Sequence, residues 1–452
     1  MVRLDSAPSP DPLSPSEREE LLRSPRPRRD LPLLAAPQTM EAPRRRLPLA
    51  TAARGVDHAY RPVYAVWEVT LACDLACRHC GSRAGHARPD ELGTAECLDL
   101  VDQLAALGVM EVILIGGEAY LRPDFCEILA RIRERGMTPL ITTGGRGLTR
   151  EVAEAAAKAG LVSASVSIDG GEATHDRLRG VAGSYKAALA ALRNLRAAGV
   201  RVSVNTQINR LSMPDLPGVL EALIDHGAHS WQIQLTVAMG RAADDPDVLL
   251  QPYDLLDLFP LIGRLKARCD EARVLLWPGN NIGYFGPFES KLRGTMPRGH
   301  MAPCGSGRSG LGIESDGTIK GCPSLNTEKW AGGNVREHRL IEIWERAEPL
   351  RYTRDRTEAD LWGYCRTCYY ASLCEAGCTW TSESLLGRPG NNPMCHHRAL
   401  EFQRAGKRER LVRAESAPGR PFDQGRCKPP SDGKEAKARR SGRLKPRIVA
   451  PC

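Results

Sequence analysis

Six apolar, strand-like runs alternate with amphipathic stretches along the middle of this chain. The runs lie at residues 63–69, 111–115, 138–142, 161–168, 200–207 and 231–237. The amphipathic stretches lie near residues 94–107, 124–135, 149–159, 183–198, 215–227 and 252–268. Alternation with short connections predicts parallel strands joined by right-handed helical crossovers. Six such units predict an α/β fold, a partial (β/α)6 TIM-like barrel, with its chemistry at the carboxyl ends of the strands.

The composition changes on both sides of this region. Residues 1–58 are rich in Pro, Arg and Ser, and residues 405–452 combine Pro, Gly and Ser with charge, so both are predicted to be disordered tails. Between them we expect a barrel domain over residues 62–290 and a small cysteine-rich domain over residues 300–400. These are the four predicted parts of the chain.

Two shorter features connect the predicted domains. Residues 270–300 read as a connector that contains a short strand at 273–276 and a loop rich in Gly, Pro and Asn. Further on, two short apolar runs flank Asp316 and Gly317, which predicts a β-hairpin near residues 311–321.

Charge and cysteine content limit the kinds of partner and the cellular compartment that we expect for this protein. The net charge is +9, and residues 401–452 alone hold 15 Lys or Arg and 6 Asp or Glu residues. A basic tail could contact nucleic acid or an acidic partner, but the composition favours a solvated, disordered end. No run of 18 apolar residues and no signal-peptide pattern occurs, so we expect no membrane span. The 15 cysteines are clustered, which favours metal binding in a reducing compartment, the cytoplasm.

Three of the cysteines directly follow the first predicted strand. Cys73, Cys77 and Cys80 have the spacing C-x3-C-x2-C. Three thiolates this close together can hold three irons of a 4Fe–4S cube and leave the fourth iron open for a substrate or cofactor. The alternative for this motif alone is a zinc site.

A second group of seven cysteines lies in the predicted small domain. Its members are Cys304, Cys322, Cys365, Cys368, Cys374, Cys378 and Cys395. Together with the first motif, this ordered array resembles the radical S-adenosylmethionine (SAM) enzymes that carry a C-terminal SPASM domain, of the peptide-modifying type. The resemblance covers residues 62–400 and disfavours the zinc alternative.

The resemblance implies three 4Fe–4S clusters and bound SAM. Cys73, Cys77 and Cys80 would ligate the cluster that binds SAM. The auxiliary cluster farther from SAM would take Cys365, Cys368, Cys374 and Cys395, and the nearer one Cys304, Cys322 and Cys378. Residues 305–310 lack the further cysteine found in some family members, so the nearer cluster would have an open iron or a non-cysteine ligand, for which His300 is a candidate.

The resemblance also implies a set of SAM-binding residues. Gly116, Gly117 and Glu118 follow the second strand, where the family contacts the methionyl amine, although Ala119 replaces the family's usual proline. Ser167 and Arg179 would contact SAM, and His79 stands where the family usually has an aromatic residue near the adenine. An ordinary turn, a helix cap and a surface arginine are the structural alternatives. The sequence identifies no catalytic acid or base.

Further polar residues at later strand ends could line the barrel cavity or simply belong to the barrel wall. They are Asn205, Gln207, Gln232, Gln234 and, after the sixth strand, Arg241.

The expected function is reductive cleavage of SAM to a 5′-deoxyadenosyl radical, which abstracts a hydrogen atom from a peptide or protein. We expect a flavodoxin or ferredoxin as electron donor. One alternative is a radical SAM enzyme for a small molecule or tetrapyrrole, and another is a non-catalytic iron–sulfur electron carrier. Anaerobic sulfatase maturation is disfavoured, because Pro323 occupies the position of that subfamily's aspartate.

Overall fold

The alternating pattern produces one ten-stranded sheet in the computed structural model, which describes residues 60–245, 248–283, 286–294, 303–424, 426–427 and 447–449. The strands of this sheet are β1 (Tyr64–Thr70), β2 (Glu111–Gly116), β3 (Thr138–Thr143), β4 (Ser163–Ser167), β5 (Arg201–Ile208), β6 (Ser230–Leu235), β7 (Leu275–Pro278), β8 (Gly310–Ile313), β9 (Thr318–Lys320) and β10 (Ala331–Asn334). Strands β1 to β7 are neighbours in chain order and parallel. The predicted partial barrel is therefore confirmed.

Helices connect the parallel strands and cover the sheet. They are α1 (Thr94–Leu107), α2 (Phe125–Glu134), α3 (Arg150–Lys158), α4 (Glu172–Arg179), α5 (Ser184–Ala197), α6 (Leu216–Asp225), α7 (Arg241–Asp244), α8 (Leu255–Glu271) and α9 (Glu289–Arg293). Short 3-10 helices lie at Ala119–Leu121, Met213–Asp215 and Pro252–Asp254. Apolar faces of helices and strands form one core that includes the buried Trp67 and Trp231. None of the described helices is long and apolar enough to cross a bilayer.

Helix α4, like the shorter α7 and α9, is an element of the barrel that the sequence pattern did not predict. Its eight residues are mostly polar and charged, so no apolar stripe marks it. The helix begins after Gly171 and ends at Gly180. It matters because its last turn faces the loop that carries Cys73, Cys77 and Cys80.

The cysteine-rich part of the chain extends the barrel sheet. Strand β8 pairs in parallel with β1, and the predicted hairpin of β8 and β9 continues the sheet to β10. The cysteine-rich part therefore covers the edge of β1 that an isolated barrel would leave unpaired. Because residues 295–302 lie outside the described residues, the predicted boundary near residue 300 stays a prediction, as does any role of His300.

Short elements follow in the cysteine-rich region. The helices are α10 (Thr327–Trp330), α11 (Leu340–Arg346), α12 (Glu348–Asp355), α13 (Ala371–Cys374), α14 (Thr379–Leu386) and α15 (His396–Arg404), with 3-10 helices at Glu358–Asp360 and Gly363–Thr367. Two small sheets pair β11 (Arg408–Arg410) with β14 (Arg447–Val449), and β12 (Arg413–Glu415) with β13 (Arg426–Cys427).

The start of the C-terminal tail differs from its prediction. Residues 405–424 contact the folded region, whereas the sequence predicts disorder from residue 405 onward. Leu411, Phe422 and Asp423 are buried. The sequence around them is mostly polar and charged and contains few apolar residues, so its composition predicted disorder. The predicted N-terminal tail, residues 1–58, lies outside the described residues.

A buried network of charges joins the barrel to the β8–β9 hairpin. Arg88 lies 2.9 Å from Glu68 of β1 and 2.9 Å from Glu314, which in turn lies 2.6 Å from Lys320 of β9. Burial raises the pKa of Glu68 to about 8, although Arg88 opposes the shift. Lys320 and Arg88 outweigh the desolvation of Glu314 and hold its pKa below the ordinary value. Removing one charge from such a network leaves its buried partner uncompensated.

We therefore predict that Arg88→Met destabilises the protein by about 3 kcal/mol, the low end for a broken buried pair, because Glu68 can take up a proton. This corresponds to a fall in Tm of about 5 °C, measured by circular dichroism without oxygen. The matched control is Arg150→Met, which removes an exposed pair with Glu154 on α3 and should leave Tm unchanged. Equal Tm values for the two variants would contradict the structural role of the network.

Candidate active site

The loop with the first three cysteines lies at the carboxyl end of β1 and rests on the last turn of helix α4. The N–H groups of Ala76 and Arg78 donate to the carbonyl oxygens of Arg179 and Leu178, at 3.1 and 2.8 Å. These carbonyls lack partners within their own helix, so the loop satisfies them. The N–H of Cys73 donates to the carbonyl of Gly85 at 3.1 Å, which closes the loop on itself.

All three sulfur atoms face one cavity of about 230 Å³, and each accepts a hydrogen bond. The donors are the N–H of Leu75 to Cys73 at 3.4 Å, the N–H of Ala84 to Cys80 at 3.4 Å and the Arg179 guanidinium to Cys77 at 3.7 Å. Burial raises the pKa of Cys73 to about 12 and that of Cys77 to about 11. Without a metal these thiols keep their protons, and a bound cation would displace them.

Gly116 and Gly117, at the end of β2, allow the backbone there to pack closely against the backbone at the end of β1. Gly117 donates its N–H to the carbonyl of Thr70 at 2.7 Å, and Glu118 donates to Ala72 at 2.8 Å. A Cβ atom at Gly117 would lie 1.9 Å from the Ala72 carbonyl oxygen, so only glycine fits there. The close approach places Glu118 beside the cysteine loop.

The Glu118 carboxylate is buried beside the cavity and oriented by two donors. The Thr143 hydroxyl and the N–H of Gly144, the latter at 2.6 Å, donate to its two oxygens. Burial raises the pKa of Glu118 to about 7, and these two donors limit the rise. Oxygens of Glu118 and Asp74 and the Cys73 sulfur lie within 4.8 Å of one another, which makes this corner attractive to a cation.

A second carboxylate, Asp169, lies at the end of β4 and is fully buried. Its Oδ2 atom lies 2.6 Å from the Arg179 guanidinium and 2.9 Å from His79 Nε2, and its Oδ1 atom accepts the N–H of Gln207 at 2.8 Å. Burial alone would raise the pKa of Asp169, but Arg179 and His79 outweigh burial and lower it. The pair therefore fixes Arg179, which also reaches the Cys77 sulfur.

The predicted site residues converge at this cavity. Its walls include Cys73, Cys77, Cys80, His79, Gly116, Gly117, Glu118, Ser167 and Arg179, together with Asn205 and Gln207. Sequence reasoning assigned no role to Thr143, Gly144 or Asp169. Position at a strand end was the one signal available for all three.

Gln232, Gln234 and Arg241 are not among the residues that line this cavity. Gln232 lines a second cavity deeper in the barrel. Arg241 donates to the carbonyl oxygens of Cys77, Arg83 and Ala84, at 3.2, 3.3 and 2.6 Å, so it holds the cysteine loop from outside the cavity.

The remaining cysteines form two further groups. One small cavity is lined by Cys365, Cys368, Cys374 and Cys395, beside Tyr364, Tyr370 and His397. The other group contains Cys304, Cys322 and Cys378: burial, together with the two neighbouring thiols, raises the pKa of Cys378 to about 12. The grouping matches the two ligand sets that the resemblance implied, four cysteines in one and three in the other.

The residues of the main cavity fit an iron–sulfur cluster and a cationic ligand. Three thiols with N–H donors to each sulfur form a donor set suited to a cluster with one open iron. The Glu118 carboxylate is buried, and among the described residues no lysine, arginine or histidine nitrogen lies within ion-pair distance of it. An ammonium group on the ligand would complete this corner.

Two family models match the chain. The model of the radical SAM superfamily matches residues 67–221, and the model of an iron–sulfur cluster-binding domain, SPASM, matches residues 304–369. The matches cover the first cysteine motif and the start of the second array.

Similar proteins include enzymes with different substrates. An AdoMet-dependent heme synthase of Methanosarcina barkeri is 32% identical over 327 residues, which cover 70% of this chain and 91% of that protein. The mycofactocin maturase MftC of Mycobacterium ulcerans is 31% identical over 343 residues, covering 74% of this chain and 88% of MftC.

A solved structure shares the fold. The crystal structure of Streptococcus suis SuiB bound to its precursor peptide SuiA matches with a TM-score of 0.58 and 18% identity, over 75% of this chain and 77% of SuiB. From the family models and the relatives that the chain covers almost fully, the protein belongs to the radical SAM superfamily and is an enzyme with a SPASM iron–sulfur domain, which uses 4Fe–4S clusters and SAM.

Proposed function

We propose that this enzyme modifies a peptide or protein, with the main cavity as the site of SAM cleavage. Cys73, Cys77 and Cys80 would hold the cluster, and Glu118 would accept hydrogen bonds from the methionyl ammonium group. Ser167, Arg179 and the strand-end amides would contact the rest of SAM. When bound, the reduced cluster and SAM supply a 5′-deoxyadenosyl radical, which removes a hydrogen atom from the substrate.

The protein's own part is to orient these groups. Thr143 and Gly144 hold both oxygens of Glu118, so the carboxylate is preorganised for a cation. Asp169 fixes Arg179 against Cys77. We further propose that a flavodoxin or ferredoxin supplies the electron, as the class of reaction requires.

The barrel lumen supports a peptide substrate. A cavity of about 600 Å³ lies inside the barrel, and Thr142 lines both this cavity and the one beside the cysteines. Its walls carry short hydroxyl side chains from neighbouring strands, namely Ser163, Ser165, Ser203 and Ser230. Hydroxyls and the Gln232 amide can pair with peptide N–H and C=O groups.

The charges of the lumen argue against a tetrapyrrole. The one acidic residue among the described lining residues of this cavity is Glu111, and they include no lysine or arginine. Heme-pathway tetrapyrroles carry ionised carboxylates, which need cationic or N–H partners when buried. The lumen charge therefore favours the maturase relatives over the heme synthase relatives as a guide to substrate class.

The assignment of Glu118 gives a binding prediction. Glu118→Gln removes one charged hydrogen bond, which costs about 1.5–3 kcal/mol, so the Kd for SAM should rise about 10- to 100-fold while the clusters assemble. Only the ionised carboxylate attracts the ammonium, so wild-type affinity should increase as pH rises through about 7, the raised pKa of Glu118. The variant should lack this pH dependence. Calorimetry that finds unchanged affinity, with Glu154→Gln on exposed α3 as control, would refute the assignment.

The cysteine groups give an iron prediction. Changing Cys73, Cys77 and Cys80 together to Ala should remove about four of twelve irons, taking three cubane clusters. The variant should remain brown with reducible clusters by electron paramagnetic resonance, yet form no 5′-deoxyadenosine. Iron near zero would mean one interdependent metal site. Wild-type iron would mean that these three cysteines bind none.

Deuterium transfer tests the substrate class. The reduced enzyme with SAM is incubated with perdeuterated short peptides encoded beside its gene or, separately, with a deuterated iron porphyrin. We expect label in 5′-deoxyadenosine from a peptide, and label from the porphyrin alone would overturn the peptide proposal. Ser203→Leu should fill the lumen and lower label transfer about tenfold while substrate-free SAM cleavage persists. Ser290→Leu, exposed on α9, is the matched control.

A further inference from the structure

A short C-terminal segment, Gly419–Gln424, lies against the loop that carries Cys80. The N–H of Phe422 donates to the carbonyl of Gly81 at 3.1 Å, and the carbonyl of Asp423 accepts the N–H of Gly240 at 2.9 Å. Phe422 and Asp423 are only 5% and 3% exposed. We call this segment the C-terminal clasp.

The clasp is built around the Asp423 carboxylate. It accepts the N–H groups of Gly419 and Arg420 within the clasp, so its own turn orients it. It also accepts two bonds from the Arg83 guanidinium, at 3.0 and 3.3 Å. The same guanidinium donates to Asp244 at 2.6 and 2.9 Å and to the carbonyl of Gly240 at 3.0 Å.

Arg83 belongs to the turn that wraps the Cys80 sulfur. Its φ of 53° lies in the left-handed region, which a non-glycine residue occupies only when its surroundings hold it there. The next residue, Ala84, donates its N–H to the Cys80 sulfur at 3.4 Å. Because N–H donors to sulfur tune the reduction potential of a cluster, the geometry of this turn bears on the chemistry.

The loop after β6 completes the enclosure. A Cβ atom at Gly240 would lie 2.3 Å from the carbonyl oxygen of Cys80, so the two backbones touch. Arg241 adds bonds to the carbonyls of Cys77 and Ala84. The clasp, the loop after β6 and Arg241 all contact the segment around Cys80.

The other side of the clasp reaches the second cysteine region. Asn326 donates its side-chain amide to the Phe422 carbonyl at 3.2 Å, and the Lys320 ammonium lies 3.9 Å from the centre of the Phe422 ring. Lys320 and Asn326 flank Cys322 in sequence. The clasp therefore bridges the Cys80 turn and the region of Cys322.

We propose that the C-terminal clasp is a positioning element for the SAM-binding cluster, with Asp423 as its positioning residue. It holds Arg83, and through Arg83 the turn that presents the Ala84 N–H to the Cys80 sulfur. Its loss leaves the three cysteines in place but frees this turn, which exposes the cluster and changes its electronic surroundings. The role is independent of the substrate class.

The test compares Asp423→Ala and Asp423→Asn with wild type in the full chain, reconstituted without oxygen. Partners of metal ligands typically contribute 10- to 100-fold to metal affinity or activity, so we expect substrate-free 5′-deoxyadenosine formation to fall about 10-fold or more in Asp423→Ala. A chelator should remove the iron of about one cluster per chain faster from the variant than from wild type. The paramagnetic resonance signal of the SAM-binding cluster should also change.

Asp102→Asn is the matched control, since Asp102, like Asp423, accepts guanidinium hydrogen bonds, in its case four from Arg131 and Arg135 on the outer helices. It should leave all three readouts unchanged. If circular dichroism shows that Asp423→Ala does not fold, two further comparisons test the proposal. The first compares Asp423→Asn with wild type. The second compares a chain that ends after residue 427, which keeps the clasp, with one that ends after residue 416, which lacks it. Folded variants lacking the clasp with wild-type cleavage, iron retention and resonance signal would overturn the proposal.

Discussion

The Asp169 carboxylate, buried between Arg179 and His79, is the constraint around which the active site is arranged. A buried carboxylate needs compensating partners, and here they are a guanidinium, an imidazole and a backbone N–H of β5. Arg179 then reaches the Cys77 sulfur, while the last turn of α4 binds the cysteine loop through its carbonyls. One ion pair thus fixes β4, β5, α4 and the cysteine loop relative to each other.

The second constraint is the shared sheet. Strand β8 pairs with β1, the strand that leads into the cysteine loop. The network of Glu68, Arg88 and Glu314 also joins the barrel to the β8–β9 hairpin. The attraction between buried charges offsets the cost of their desolvation only when the geometry is good. The network therefore holds the hairpin in one position on the barrel. The cysteine-rich region is consequently placed by the strand that also presents Cys73.

The two cavities differ in charge, and Glu111 is the one charged residue among the described residues that line the lumen. Thiols, Glu118 and Arg179 line the end at the cysteine loop, whereas serine hydroxyls from β4, β5 and β6 line part of the lumen. A cationic cofactor suits the first, and an uncharged chain segment suits the second. In our proposal, the cavity at the cysteine loop would carry the chemistry common to the family, and the lumen would hold the peptide substrate.

The amino-acid sequence by itself determined the barrel and the first cysteine motif, because strand periodicity and cysteine spacing are local patterns. The roles proposed for the other cysteines and for the residues that would contact SAM came from the family resemblance. The convergence of Gly117, Glu118 and Ser167 followed from parallel topology, which gathers strand ends at one edge. Arg179 joins them from the last turn of helix α4. Only the tertiary structure revealed helix α4, whose polar residues carry no apolar stripe, and the burial of Asp423 against Arg83. These two residues are 340 positions apart. A contact over such a distance leaves no mark on the local pattern of either segment, since each charge looks like an ordinary surface charge until the chain has folded.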